Sequence, residues 1–201
     1  MTDPVDLVYL NSMWARDRDP WHIGNGFYEQ RKRDVILSCL PRERYSHAFE
    51  PGCAAGELTV RLAQRCDQVT AADYHPDAVV ATLERVADRD NVSVQQRLLP
   101  DEWPAGDFDL IVLSEIGYFF DPGAWSRLCA LVAKSAAKGS TVLSSHWLHD
   151  FTERTQSTAD LHAALTSAIG SPSDLLLSDQ DFELRIWSGD GRSVAAQDGL
   201  R

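Results

Sequence analysis

The 201-residue sequence predicts an α/β fold: a doubly wound, mainly parallel seven-stranded sheet with an N-terminal helical flap. Three observations carry this expectation. Short apolar runs alternate with amphipathic stretches from Tyr45 to Trp187. A glycine-bearing turn, Glu50-Pro51-Gly52-Cys53-Ala54-Ala55-Gly56, follows the first of those runs. An acidic residue, Asp73, stands at the end of the second.

In chain order, Met1 to Gly26 is polar, dotted with aromatics and weakly periodic, with turn-forming groups at Asp19-Pro20-Trp21 and Gly24-Asn25-Gly26. It reads as a lid or flap. Phe27 to Leu40 places Val35, Ile36, Leu37 and Leu40 among charges and stops at Pro41, the pattern of an amphipathic helix. A strand is expected near His47 to Glu50, a helix from about Ala55 to Arg65, and a second strand at Gln68 to Ala72. Pro76 opens the next helix, through Val86. Val92 to Gln96 reads as the third strand, and Phe108 to Leu113 as a fourth that is apolar enough to be buried on both faces. Asp121-Pro122 caps a helix through about Ala136. Thr141 to Ser145 is a fifth strand, Asp160 to Ile169 a helix, and Asp174 to Ser178 with Phe182 to Trp187 a closing pair of strands. Residues 1–188 thus read as one domain, with 1–40 as flap and first helix. The stretch from Gly189 to Arg201 is expected to be a frayed tail.

Charge and cysteine usage bound the function. A formal net charge of −11, with no Lys/Arg cluster that offsets the acidic surface, argues against a nucleic-acid partner. The run Arg31-Lys32-Arg33 reads as the solvated face of its helix. Cys39, Cys53, Cys66 and Cys129 are widely spaced, with no C-x-x-C pair and no histidine at zinc-ligand spacing, so they read as reduced thiols and no metal site is expected. No stretch approaches membrane-spanning length, and the N-terminus lacks a basic region followed by an apolar one. These features point to a soluble, cytoplasmic protein with a small-molecule partner.

The turn and the acid after it have the layout of a nucleoside-cofactor pocket. Gly52 and Gly56 let the backbone approach a ligand closely, and Asp73 is placed to accept hydrogen bonds from a ribose. A dinucleotide fingerprint would need Gly-x-Gly-x-x-Gly, but here the middle position is Ala54. Glu50 would repel a pyrophosphate yet can hold the ammonium of an amino-acid moiety. S-adenosylmethionine (SAM) carries that ammonium and no phosphate, so it is the expected cofactor, with S-adenosylhomocysteine (SAH) as product. An NAD-dependent oxidoreductase is disfavoured on the same grounds.

From Asp19 to Trp187 the sequence resembles the class I SAM-dependent methyltransferases, and within them the NodS-like group of nodulation N-methyltransferases. Glu50-x-Gly52-x-x-x-Gly56, Asp73 and Phe108-Asp109-Leu110-Ile111-Val112 carry the broad likeness. Asp19-Pro20-Trp21, Tyr28-Glu29-Gln30-Arg31-Lys32, Leu40-Pro41-Arg42-Glu43-Arg44-Tyr45, Leu113-Ser114-Glu115 and His146-Trp147 carry the narrower one. The resemblance implies methyl transfer from SAM to an amine, in that group the free amine of a de-N-acetylated chitooligosaccharide. It also implies a cofactor site drawn from Glu50, Gly52, Cys53, Gly56, Asp73, Tyr74, Leu98, Leu99 and Ser114. Where many class I members carry an acidic residue after the third strand, this chain has Arg97-Leu98-Leu99-Pro100, so adenine recognition is expected to rest on backbone groups and apolar packing.

In an open α/β sheet, ligands sit beyond the carboxyl ends of the strands, which brings Ser114, Glu115 and His146 toward the methyl group. An ammonium has no lone pair, so an amine acceptor needs a lowered pKa or a base. His146 is the expected base and Glu115 the group that orients the acceptor, against the simpler readings of a satisfied strand-end histidine and a loop cap. Trp21, Tyr28 and Tyr118, with Phe119 and Phe120, are expected either as an acceptor wall or as ordinary core. His149 and His162 have no partner spacing that assigns them a role. An O-methyltransferase with His146 as base, and a catalytically silent SAM-binding module, remain open alternatives.

Overall fold

The computed structural model describes residues 7–201, apart from Arg18 and Asn25. Its centre is a seven-stranded sheet in the order β3-β2-β1-β4-β5-β7-β6. The strands are β1 (Tyr45–Pro51), β2 (Cys66–Asp73), β3 (Val92–Gln96), β4 (Phe108–Ser114), β5 (Ala136–Trp147), β6 (Leu175–Ser178) and β7 (Phe182–Ser188). Strands β1 to β5 are parallel, whereas β7 lies antiparallel between β5 and β6, so the expected closing pair is a hairpin at the sheet edge. The chain winds outward from β1 to β3 and then returns to lay β4 on the free side of β1. The winding direction therefore reverses between β1 and β4, and a crevice opens there at the carboxyl ends of the strands.

Strand β4 shows why the sheet is covered on both faces. Leu110 and Val112 enter one apolar layer with Ile36, Leu58 and Leu62, while Ile111 and Leu113 enter the other with Trp125, Leu128 and Leu161. The first layer is supplied by α2 (Phe27–Cys39) and α3 (Glu57–Ala63), the second by α5 (Pro122–Ser135) and α6 (Thr158–Ile169). The remaining helices are α1 (Leu7–Trp14), α4 (Pro76–Arg85) and α7 (Val194–Gln197).

Helix starts follow local chemistry. The Asp121 carboxylate accepts the Ala124 N–H at 2.8 Å and Pro122 occupies the first turn, as the sequence predicts. Helix α3 starts at Glu57 and not near Ala55, because Gly56 is left-handed (φ +77°) and cannot be helical itself. Helix α6 starts earlier than Asp160, since Ser157 accepts the Asp160 N–H at 3.1 Å. The expected tail is not wholly irregular: Ser193 caps the four-residue helix α7.

The expected lid over Met1 to Gly26 is partly described. Residues 1–6, 18 and 25 lie outside the described residues. In the rest, α1 buries Leu10 and Trp14 against the body. Among the described residues, no helix is long and apolar enough to cross a membrane.

Candidate active site

The β1–α3 turn is built from residues that tolerate unusual backbone. Gly52 has φ +74°, and a Cβ there would lie 2.2 Å from Cγ2 of Ile116, so only glycine lets the turn after β1 meet the loop after β4. The N–H groups of Gly52 and Cys53 both donate to the Ala72 carbonyl, at 2.7 and 3.0 Å. Ala54 is also left-handed and donates its N–H to Asp73 Oδ2 at 3.0 Å, while Oδ1 accepts the His75 N–H at 3.0 Å. Asp73 is thereby fixed by the turn it faces. Burial raises the pKa of its carboxyl, with those two N–H groups opposing the shift.

Glu50 is buried, and Oε2 accepts the Thr59 hydroxyl at 2.6 Å. Burial pushes its pKa up to about 8; the Thr59 hydrogen bond works against the shift and the Asp73 charge adds to it. Burial likewise raises the Cys53 thiol, with Asp73 and Glu50 adding, so it is held protonated. All four cysteines are free.

These groups line one cavity of about 660 Å³ at the carboxyl end of the sheet. Its first half is walled by Glu50, Gly52, Cys53, Asp73, Tyr74, Leu98 and Leu99 from the turns after β1, β2 and β3. Its second half is walled by Ser114, Glu115 and Tyr118 after β4, Trp147 and Phe151 after β5, and Trp21, Tyr28, Glu29, Lys32 and Arg33 from the N-terminal region. Every site residue expected from sequence lines the cavity except Gly56 and His146.

Gly56 acts one step back. A Cβ there would sit 3.0 to 3.1 Å from Thr82, whose hydroxyl donates to the Ala54 carbonyl at 2.8 Å. Its bareness lets α4 close on the cofactor turn.

His146 is a correction. Its side chain is fully buried on the α5–α6 side of β5, with Tyr118 and Trp125 edge-on to the ring. Nε2 accepts the Gly117 N–H at 3.0 Å, which leaves Nδ1 carrying the proton toward Ser144 Oγ at 3.1 Å. Burial, aided by His162, Arg154 and Lys32, holds its pKa well below the usual histidine range. With its free lone pair already engaged, it cannot take a proton from a bound acceptor. It holds the backbone of the loop that carries Glu115 and Tyr118.

Glu115 does reach the cavity. Its backbone is left-handed (φ +60°), unusual for a side chain of this size, and its N–H donates to the Ser145 carbonyl at 2.9 Å. Oε2 accepts the Tyr118 hydroxyl and the Trp147 N–H, the latter at 3.2 Å, and Oε1 lies 3.3 Å from the Lys32 ammonium. Burial and the adjacent Glu115 charge drive the Tyr118 phenol well above its ordinary pKa, so it stays a donor.

The basic run on α2 is a second correction. Arg31 alone faces solvent, against Asp179 at 2.7 Å. Lys32 and Arg33 are buried at 4% and 6% exposure and point into the cavity wall. The Lys32 ammonium pairs with Glu29 at 2.9 Å and lies 5.1 Å from the centre of the Tyr28 ring. Arg33 donates to the Ile23 carbonyl at 2.6 Å. His149 pairs with Asp181 at 2.8 Å on the surface, and His162 with Glu183 at 2.9 Å in the interior.

A family model for nodulation protein S (NodS) matches residues 10–133. The chain belongs to the NodS family. Among curated relatives, it is 33% identical over 129 residues to nodulation protein S of Rhizobium tropici, which covers 59% of this chain and 50% of the relative. It is 30% identical over 139 residues to nodulation protein S of Sinorhizobium fredii, covering 63% and 60%. This NodS-family chain therefore spans about half to three-fifths of the length of those relatives. Among solved structures, a Pseudomonas syringae protein described as a candidate methyltransferase aligns with TM-score 0.72 at 39% identity, covering 81% of this chain and 99% of that one. The N-methyltransferase NodS of Bradyrhizobium japonicum WM9, solved with SAH, aligns with TM-score 0.77 at 22% identity, covering 90% and 96%, a likeness of fold.

Proposed function

We propose that the chain is a SAM-dependent methyltransferase acting in the cytoplasm on the amine of a small molecule, with residues 1–188 as one catalytic unit. The observation that carries the reading is the meeting of Gly52, Asp73 and Glu50 with a second, aromatic half in one cavity at the sheet's switch point. When bound, SAM supplies an electrophilic sulfonium methyl group whose transfer leaves SAH. The residues present fit it. Asp73, its outer lone pairs facing the cavity, accepts the ribose hydroxyls. Leu98 and Leu99 pack the adenine where an acidic side chain is missing. Glu50 gives up its proton as the amino-acid ammonium binds, because that charge offsets the burial that otherwise keeps the carboxyl neutral, and Arg33, a buried cation in the cavity's other half, meets the carboxylate.

On the acceptor side the chain binds and positions. Tyr118 and the Trp147 N–H fix the Glu115 carboxylate, whose remaining lone pairs orient the N–H groups of an amine so that its lone pair points along the line of transfer. The aromatic walls exclude water. An amine needs only to arrive neutral, whereas a hydroxyl needs its proton removed, and the histidine expected to do that is walled off. This favours nitrogen over oxygen as the acceptor.

The test is transfer from methyl-labelled SAM to a panel of amines and the matching alcohols. Label recovered on amines alone supports the reading. Label on alcohols alone moves it to O-methylation, and none on either, with SAH bound, favours a silent SAM-binding module.

A further inference from the structure

Not every polar group around the cavity is paired. Asp73 takes two backbone N–H groups, and Glu115 Oε2 takes the Tyr118 hydroxyl and the Trp147 N–H. The Tyr28 hydroxyl, by contrast, is buried in the cavity wall with no hydrogen-bond partner among the described residues. Glu115 Oε1 takes no hydrogen bond either, although the Lys32 ammonium lies 3.3 Å away.

These two oxygens share their surroundings. The Tyr28 ring meets Trp147 edge-on at 5.3 Å, and the Trp147 N–H binds the Glu115 carboxylate. The ammonium beside Glu115 Oε1 also lies 5.1 Å from the centre of the Tyr28 ring. Phe182 packs edge-on against that ring at 6.4 Å, so its position is fixed by contacts that a phenylalanine would make as well. The hydroxyl adds nothing to this packing, and burying it unpaired costs stability. Burial and the charges of Glu115 and Glu29 drive the phenol well above its ordinary pKa, so it offers a proton and not a negative charge.

A free donor thus stands beside a free acceptor. A neutral amine gives an N–H to the acceptor and keeps its lone pair for the methyl group, so the donor cannot serve the nitrogen. It is matched to an oxygen close to that nitrogen on the same molecule. We propose that Tyr28 is a specificity-determining residue, whose hydroxyl donates to an oxygen on the carbon next to the acceptor amine while Glu115 Oε1 takes the amine N–H. The proposal rests on the methyltransferase reading above.

The experiment measures methyl transfer from labelled SAM to trans-2-aminocyclohexanol and to cyclohexylamine, which lacks only the hydroxyl, in the parent chain and in Tyr28→Phe. The two amines differ in basicity, but the change in their ratio between parent and variant cancels that difference. Tyr28→Phe should lose roughly ten-fold in kcat/KM for the amino alcohol and little for cyclohexylamine. It should bind SAH as the parent does and melt no lower. An equal loss for both amines, or none for either, overturns the proposal. So does transfer by the parent to cyclohexylamine alone or to neither amine while SAH is bound. Weaker SAH binding in the variant alone overturns it too, because the hydroxyl would then serve the cofactor. Failure of the parent itself to bind SAH overturns the methyltransferase reading, and the role of Tyr28 falls with it.

Discussion

The Gly117 N–H donates to His146 Nε2 at 3.0 Å, so the histidine nearest the expected chemistry is committed to the backbone of the loop that holds Glu115. Replacing His146 by Phe leaves that N–H buried and unpaired, which should lower stability by about 1–3 kcal/mol. His146→Gln offers an amide oxygen as acceptor and should recover part of the loss. Activity in His146→Gln should fall without losing the neutral-range limb of its pH–rate profile. Disappearance of that limb would make His146 the base after all.

Glu50 and His146 give stability opposite pH slopes. The folded chain holds the Glu50 proton up to about pH 8, whereas the unfolded chain releases it near the ordinary 4.5. The folded state binds more protons across that window, so this group's contribution is full below 4.5 and declines as pH rises toward 8. The slope approaches about 1.4 kcal/mol per pH unit. His146, held neutral, works the other way: below its ordinary value of 6.5 the unfolded chain takes up the proton, and stability falls with pH. Thermal melts of Glu50→Gln should show a flatter decline between pH 5 and 8 than the parent. An unchanged decline would mean that Glu50 is ionised in the fold.

Gly52→Ala combines a left-handed backbone with a Cβ placed 2.2 Å from Ile116. Gly170→Ala shares the left-handed backbone (φ +80°) but meets nothing within 4 Å. The second variant should cost only the conformational penalty of about 1–2 kcal/mol. The first should in addition displace the loop after β4 and abolish SAH binding. Equal melting and binding losses in the two variants would show that the contact with Ile116 has no consequence.

Lys32→Met should be among the most damaging changes on α2, at about 3–5 kcal/mol, because it strands Glu115 without its cation and leaves Glu29 only the longer 3.9 Å contact with Arg33. Adding Glu115→Gln should restore part of that stability, a non-additivity that chemical denaturation of the two single variants and the double variant would measure. Arg31→Met, on the exposed pair with Asp179, should cost less than about 1 kcal/mol.

The sheet was legible because the apolar runs of strands such as β1 and β4 stand out between turn and helix-start signals, among them Gly56, Pro76 and Asp121-Pro122. The cofactor half was legible because the turn from Glu50 to Gly56 and Asp73 announce themselves in the chain. The misreadings share a cause: both needed the direction of a side chain and not only its position. His146 stands at a strand end as expected, but it shares a face with Val142 and Ser144, which turns it toward α5 and α6 and away from the cavity. Glu29, Lys32, Arg33, Ile36 and Leu40 recur at helical spacing on α2 and its C-cap, so the apolar pair marked the buried stripe that Lys32 and Arg33 continue. Their charges concealed it. Trp147 entered only through the His146-Trp147 likeness and Phe151 carried no local signal, since their roles depend on where the end of β5 lies against the β4 loop.

Arg33 gives the cofactor assignment its own check. Its replacement by Met should weaken SAM binding by roughly ten-fold or more through loss of a charge-assisted contact to the carboxylate. Adenosine, which lacks that carboxylate, should bind both forms alike. An equal loss for both ligands would place Arg33 in the fold and not in the site.

The most direct measurement is calorimetric titration of the chain with SAM and SAH beside NAD. Micromolar binding of the SAM pair with no heat from NAD is the result the cavity predicts. Binding of NAD in their place, or of none of the three, would contradict a SAM site at Glu50, Gly52 and Asp73.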